Sequence, residues 1–170
     1  CLIERADADH DIAVTDKAKR ALADAFERGV PCLVPLDDHH ELLVEPIVAR
    51  PRLVIAGGGH VAYALAQMAQ HLDYVVAVID DREDFANATR FPGIEVVHGD
   101  IAASLADLGV GWNTFIVVAT RGHKLDSHAL RAAVATPARY VGLLGSKRKT
   151  VLIEKMLRDE GASEERLRAV

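Results

Sequence analysis

Arg52-Leu53-Val54-Ile55-Ala56-Gly57-Gly58-Gly59-His60-Val61-Ala62 decides the fold: an apolar strand runs into a glycine turn that opens directly into a helix. Gly57 permits the tight turn, Gly59 lets a phosphate approach the backbone, and small Ala62 lets the helix pack close to the strand. The first-turn N–H groups of such a helix have no intrahelical partner, and with the positive end of the helix dipole they form an anion cradle together with Gly58 and His60. Tyr74 to Ile79 then reads as a second buried strand ending at Asp80, about 20 residues beyond the first glycine, where a dinucleotide fold places the acid that receives a ribose diol.

From Pro51 onward, strands alternate with helices. Leu53–Ala56, Val75–Ile79, Ile94–Val97, Phe115–Ala119 and Tyr140–Leu144 are nearly continuous apolar runs, as strands buried on both faces require. Val61, Leu65, Met68, Ala69 and Leu72 make a helical stripe assigned to the core. Ile101 to Leu108 makes a short helix closed by Gly109, and Leu130, Ala133 and Val134 mark another. Right-handed crossovers give an α/β, Rossmann-like, doubly wound parallel sheet of strand order 3-2-1-4-5 over residues 51–170. The topological switch between its first and fourth strands places the site in the loops Gly57 to His60, Asp80 to Arg82, Thr120 to Asp126 and Gly145 to Lys149.

Residues 1–50 read as the end or remnant of an amino-terminal domain. Asp16 starts a helix with an apolar face of Ala18, Ala21, Leu22, Ala25 and Phe26, stopped by Gly29. Cys32–Leu36 and Leu42–Val44 form a hairpin around Asp37-Asp38-His39-His40, a polar turn read as solvated and not as a metal site. The first residue is a cysteine, which suggests a fragment of a longer protein.

Half of the residues are hydrophobic, the net charge is −5 and aromatics make up 5%, which argues against a nucleic-acid surface. No apolar run spans a bilayer and no signal peptide is visible, so a cytoplasmic, soluble protein is expected. Two cysteines are too few for a disulfide framework or a thiolate metal site, and Cys32 reads as a small core residue.

Within the site, Asp80 is assigned to a ribose diol, with Arg82 offsetting its repulsion of a 2′-phosphate. The alternative is that Asp80 caps a turn at Glu83 to Asn87. Thr120-Arg121-Gly122-His123-Lys124-Leu125-Asp126 carries His123 and Asp126, candidates for an acid/base pair or for orienting a heterocycle, although Asp126 can instead cap the next helix. Gly145-Ser146-Lys147-Arg148-Lys149 turns from strand to helix with cations at the wrong end of the dipole. An anion held by Ser146, Lys147 and Arg148 would compensate them.

Taken together, these motifs resemble the XdhC/CoxI accessory factors of molybdenum hydroxylases. The resemblance runs from about Glu45 to Val170 through Ala56-Gly57-Gly58-Gly59-His60-Val61, Val78-Ile79-Asp80-Asp81-Arg82, Arg90-Phe91-Pro92-Gly93, Ala119-Thr120-Arg121-Gly122-His123 and Gly142-Leu143-Leu144-Gly145-Ser146-Lys147-Arg148-Lys149. It implies a helper that binds molybdenum cofactor, supports its sulfuration with a cysteine desulfurase and delivers it to an apo-hydroxylase of the xanthine dehydrogenase type. A homo-oligomer is expected. The family usually carries a larger amino-terminal domain and continues beyond the position of Val170.

Two other classes are kept in view. The glycine loop also resembles that of small NAD-dependent dehydrogenases of sirohaem synthesis, which would make the chain an NAD(P)-dependent oxidoreductase. Val96-Val97-His98-Gly99-Asp100 resembles nucleotide-gated potassium-transport domains, which would make it an NAD-sensing module.

Overall fold

A computed structural model describes residues 16–36, 40–47, 49–161 and 167. The chain divides into two compact units, Cys1–Ala49 and Arg50–Val170.

In the first unit, helix α1 (Asp16–Arg28) precedes the antiparallel strands β1 (Cys32–Pro35) and β2 (Glu41–Val44), paired from Cys32 opposite Val44 to Pro35 opposite Glu41. Gly29, at φ +65°, ends the helix with its N–H on the Ala25 carbonyl. Ala25, Val34 and Val44 form a small core, with half-buried Cys32 at its margin. The turn residues Asp37 to His39 and the Phe26 side chain lie outside the described residues.

The second unit holds β3 (Arg52–Ala56), β4 (Val75–Asp80), β5 (Glu95–His98), β6 (Thr114–Val118) and β7 (Tyr140–Leu143) in one parallel sheet of order β5-β4-β3-β6-β7. This is the expected order, 3-2-1-4-5. The helices are α2 (His60–His71), α3 (Ile101–Asp107), α4 (His123–Ala135) and α5 (Lys147–Asp159). Because alternate strand residues point to opposite faces, Val54, Ala56, Ile79, Ile116, Val118 and Val141 pack on one face beneath α3, α4 and α5. Leu53, Ile55, Val76 and Val78 pack on the other beneath α2. Asp100 caps α3 by accepting from the Ala103 N–H, and Gly109, at φ +60°, follows that helix.

The stripe on α2 is corrected by the structure. Ala62, Ala66 and Ala69 are the residues buried against the sheet, while Val61, Met68 and Leu72 are exposed. Alanines let the helix axis approach β3 and β4 closely, which turns the larger residues to its flank.

Candidate functional site

The glycine loop is fixed from three sides. Gly57 has φ +112°, its N–H donates to the Ile79 carbonyl at 2.7 Å, and a Cβ there would stand 2.5 Å from the Ala119 carbonyl oxygen. Only glycine satisfies both the dihedral and the approach. Gly58 donates its N–H to Asp80 Oδ2 at 2.7 Å and accepts from Arg90 Nε at 3.0 Å, and a Cβ on it would collide with the Phe85 carbonyl. Gly59 differs, because a Cβ added to it would meet nothing within 4 Å. Helix α2 begins after Gly59 with no side-chain cap, so the N–H groups of its first turn have no partner within the helix, and His60 at its start is exposed.

Asp80 braces this loop. It is only 2% exposed, and its carboxylate accepts from the Gly58 N–H, from the Arg82 N–H at 3.0 Å, and from Arg82 Nε and Nη2 at 2.9 and 3.0 Å. Burial pushes the Asp80 pKa up, but the Arg82 hydrogen bonds, the Gly58 N–H and the Arg82 charge outweigh it and hold the group below its ordinary value. Asp80 does not cap the turn at Glu83–Phe85, where Arg82 occupies the cap position without a side-chain bond. Arg82 itself stacks 3.5 Å above the Phe85 ring. A ribose diol would reach Asp80 only by displacing these partners.

Across the switch point, the β6–α4 loop meets the start of α5. Thr120 Oγ1 donates to Asp126 Oδ1 at 2.5 Å, and the other carboxylate oxygen pairs with the Lys149 ammonium. Asp126 is fully buried. Its N–H donates to the Gly122 carbonyl, so it lies within the first turn of α4 and does not cap that helix; Gly122, at φ +84°, is the cap residue. The backbone of His123 opens α4, and its side chain lies outside what the structure describes. Among the described residues, Asp126 has Thr120 and Lys149 as its side-chain partners. Arg121 is exposed and reaches Asp81 at 3.5 Å.

Ser146 caps α5, its Oγ accepting from the Lys149 N–H at 3.3 Å. Lys147 and Arg148 are exposed, with no ion pair among the described residues. Of the three cations in this turn, the structure thus compensates Lys149 internally. Lys149 is the residue that sequence reasoning passed over. Its signal was Gly145, because a Cβ there would lie 3.0 Å from Lys149 Cδ, so the glycine leaves room for the lysine stem to fold back.

The crevice between the α2 amino terminus and the Ala119–Gly122 loop lies at the carboxyl ends of β3 and β6, where this topology binds ligands. A cavity of about 290 Å³ lined by Arg50, Gln70, Asp73, Tyr74, Glu95 and their neighbours lies elsewhere, at the amino ends of β4 and β5. Among the described residues no cluster of His, Cys, Asp and Glu could hold a metal ion, and no helix is long and apolar enough to cross a membrane.

A parallel sheet with this order, a glycine loop on its first strand and a crevice at its switch point define a Rossmann domain. Residues 53–170 match the XdhC Rossmann domain, and the chain belongs to the XdhC family. It is 35% identical over 120 residues to the uncharacterized protein YqeB of Escherichia coli K12, which covers 69% of this chain and 22% of that protein. A crystal structure described as a xanthine dehydrogenase from Bacillus halodurans shares the fold with a TM-score of 0.59 at 18% identity, over 84% of this chain and 57% of that one. The chain thus spans about a fifth of the first relative and under two thirds of the second.

Proposed function

We propose that this chain is the Rossmann part of a maturation factor for molybdenum hydroxylases of the xanthine dehydrogenase type, and that it holds the phosphate end of molybdenum cofactor at the first turn of α2. One observation carries the reading: α2 starts uncapped, with open space at Gly59, while Gly57 and Gly58 are locked by internal bonds. A preorganised set of N–H donors at a helix dipole's positive end fits a phosphate. The residues that would hold the group are the backbone of Gly59, His60 and Val61, with Thr120 across the crevice and exposed Lys147 and Arg148 supplying positive charge. Bound there, the cofactor brings the molybdenum centre that the client hydroxylase uses.

Family membership and the fold shared with the Bacillus halodurans protein support a hydroxylase client. In this reading the chain is a cytoplasmic, non-catalytic helper that works with a cysteine desulfurase, and no step of bond-making chemistry is assigned to His123 or Asp126. The commitment of Asp80 to Gly58 and Arg82 favours this over an NAD(P)-dependent oxidoreductase or an NAD-sensing module, since both need that carboxylate free for a ribose.

Native mass spectrometry of protein purified from molybdenum-replete cells tests the proposal. A bound pterin-phosphate mass with molybdenum supports it. A bound NAD(H) mass, or turnover of a substrate with NAD, replaces it with the dehydrogenase reading.

A further inference from the structure

Asp81 and Arg121 meet across the end of β3. In the sheet order β5-β4-β3-β6-β7, β3 separates β4 from β6, and its last residue, Ala56, lies level with Ile79 on one side and Val118 on the other. Neighbouring strands run about 4.8 Å apart, so the ends of β4 and β6 stand about 10 Å from each other. Asp81 directly follows β4 and Arg121 comes three residues after β6, yet Arg121 Nη2 lies 3.5 Å from Asp81 Oδ2. The two side chains therefore span the end of β3, where the glycine loop leaves the sheet.

This bridge is loosely held. The side chains are 59 and 40% exposed, so water screens their attraction, and among the described residues the arginine makes this ion pair and no hydrogen bond. Nearby cations are committed: Arg82 donates two side-chain hydrogen bonds to Asp80, Arg90 Nε donates to the Gly58 carbonyl, and Lys149 pairs with buried Asp126. Asp81 does not depend on Arg121. It also lies 3.8 Å from Arg82 Nε, so losing Arg121 strands no carboxylate.

We infer that Arg121 is a phosphate-binding residue of the crevice and that Asp81 competes with the ligand for its guanidinium. The inference rests on the phosphate cradle proposed above at the first turn of α2, and it names a side chain that completes it. Backbone N–H groups at a helix start carry only partial charge; the guanidinium fork adds a full charge and matches phosphate oxygens two at a time. Asp81 makes the contact selective. A doubly charged phosphate attracts the guanidinium more strongly than one exposed carboxylate does, whereas a neutral or singly charged ligand has no such advantage.

Calorimetric titration of the whole 170-residue chain with inorganic phosphate at low salt tests this. Arg121→Gln should weaken binding about 10-fold. Asp81→Asn should tighten it about 3- to 5-fold, with circular dichroism unchanged in both variants. The double variant should bind like Arg121→Gln, because the carboxylate then has no arginine to withhold. If Asp81→Asn still tightens binding in the Arg121→Gln background, Asp81 merely repels the anion and the inference is overturned. It is also overturned if Arg121→Gln binds normally while Gly59→Val abolishes binding, a result that leaves the cradle standing. A wild-type chain that binds no phosphate, or binds it no better than Gly59→Val, overturns the cradle and this inference together.

Discussion

The ammonium of Lys149, in the first turn of α5, pairs with the fully buried carboxylate of Asp126, in the first turn of α4. The pair ties the loops that leave β6 and β7, and Thr120 completes it from the rim of the crevice. Lys149→Met leaves a buried carboxylate without its counter-charge and should cost about 3–5 kcal/mol in urea unfolding. Asp126→Leu combined with Lys149→Met should cost much less than the sum of the single changes. Additive losses would mean that the two groups do not interact.

Asp80 sets an acid limit on the glycine loop. Its native pKa is lowered, so its contribution is complete above the unfolded value of about 3.9 and is lost as pH falls through the lower native value. Asp80→Asn should destabilise the protein at neutral pH by about 1–3 kcal/mol, the range for charged hydrogen bonds. It should also flatten the fall in stability on acidification, read from urea midpoints at successive pH values.

Neighbouring glycines should respond in opposite ways. Gly57→Ala forces a side chain into a positive-φ position facing the Ala119 carbonyl and should cost about 2 kcal/mol or more. Gly59→Val enters open space at negative φ and should cost about 1 kcal/mol or less, while abolishing retention of a phosphate ligand on the purified protein. Full ligand retention by Gly59→Val would remove the cradle.

Lys147 and Arg148 are exposed cations at the positive end of a helix dipole. Replacing both with Gln should leave the empty protein equally stable, or stabilise it by about 0.3–1 kcal/mol. Molybdenum content of a co-expressed hydroxylase should nonetheless fall, with its protein level unchanged. Normal client activity would argue against the accessory role.

Strand identity and order, the glycine turn, the α2 boundary and the closing glycine of α3 are legible in the sequence alone. Each is written in a short run of chain: an apolar run of five residues, a dihedral open to glycine, a helix start. Crossover handedness then leaves one sheet order. Partners were not legible in that way. Asp80 was assigned to a ligand, and its hydrogen bond from Gly58, 22 positions away in sequence, was not foreseen. Asp126 was named with nearby His123, whose side chain lies outside the described residues, and its ion pair with Lys149 was not foreseen.

The sequence by itself therefore determined a parallel α/β sheet with an anion-ready helix at its switch point, because period and turn chemistry act over a few residues. Only the tertiary structure decided which flank of α2 meets the sheet and which cation neutralises Asp126. Apolar period alone does not distinguish Ala62, Ala66 and Ala69 from Val61, Met68 and Leu72. The close approach that small side chains allow makes the distinction, and it exists only once β3 and β4 lie beneath the helix.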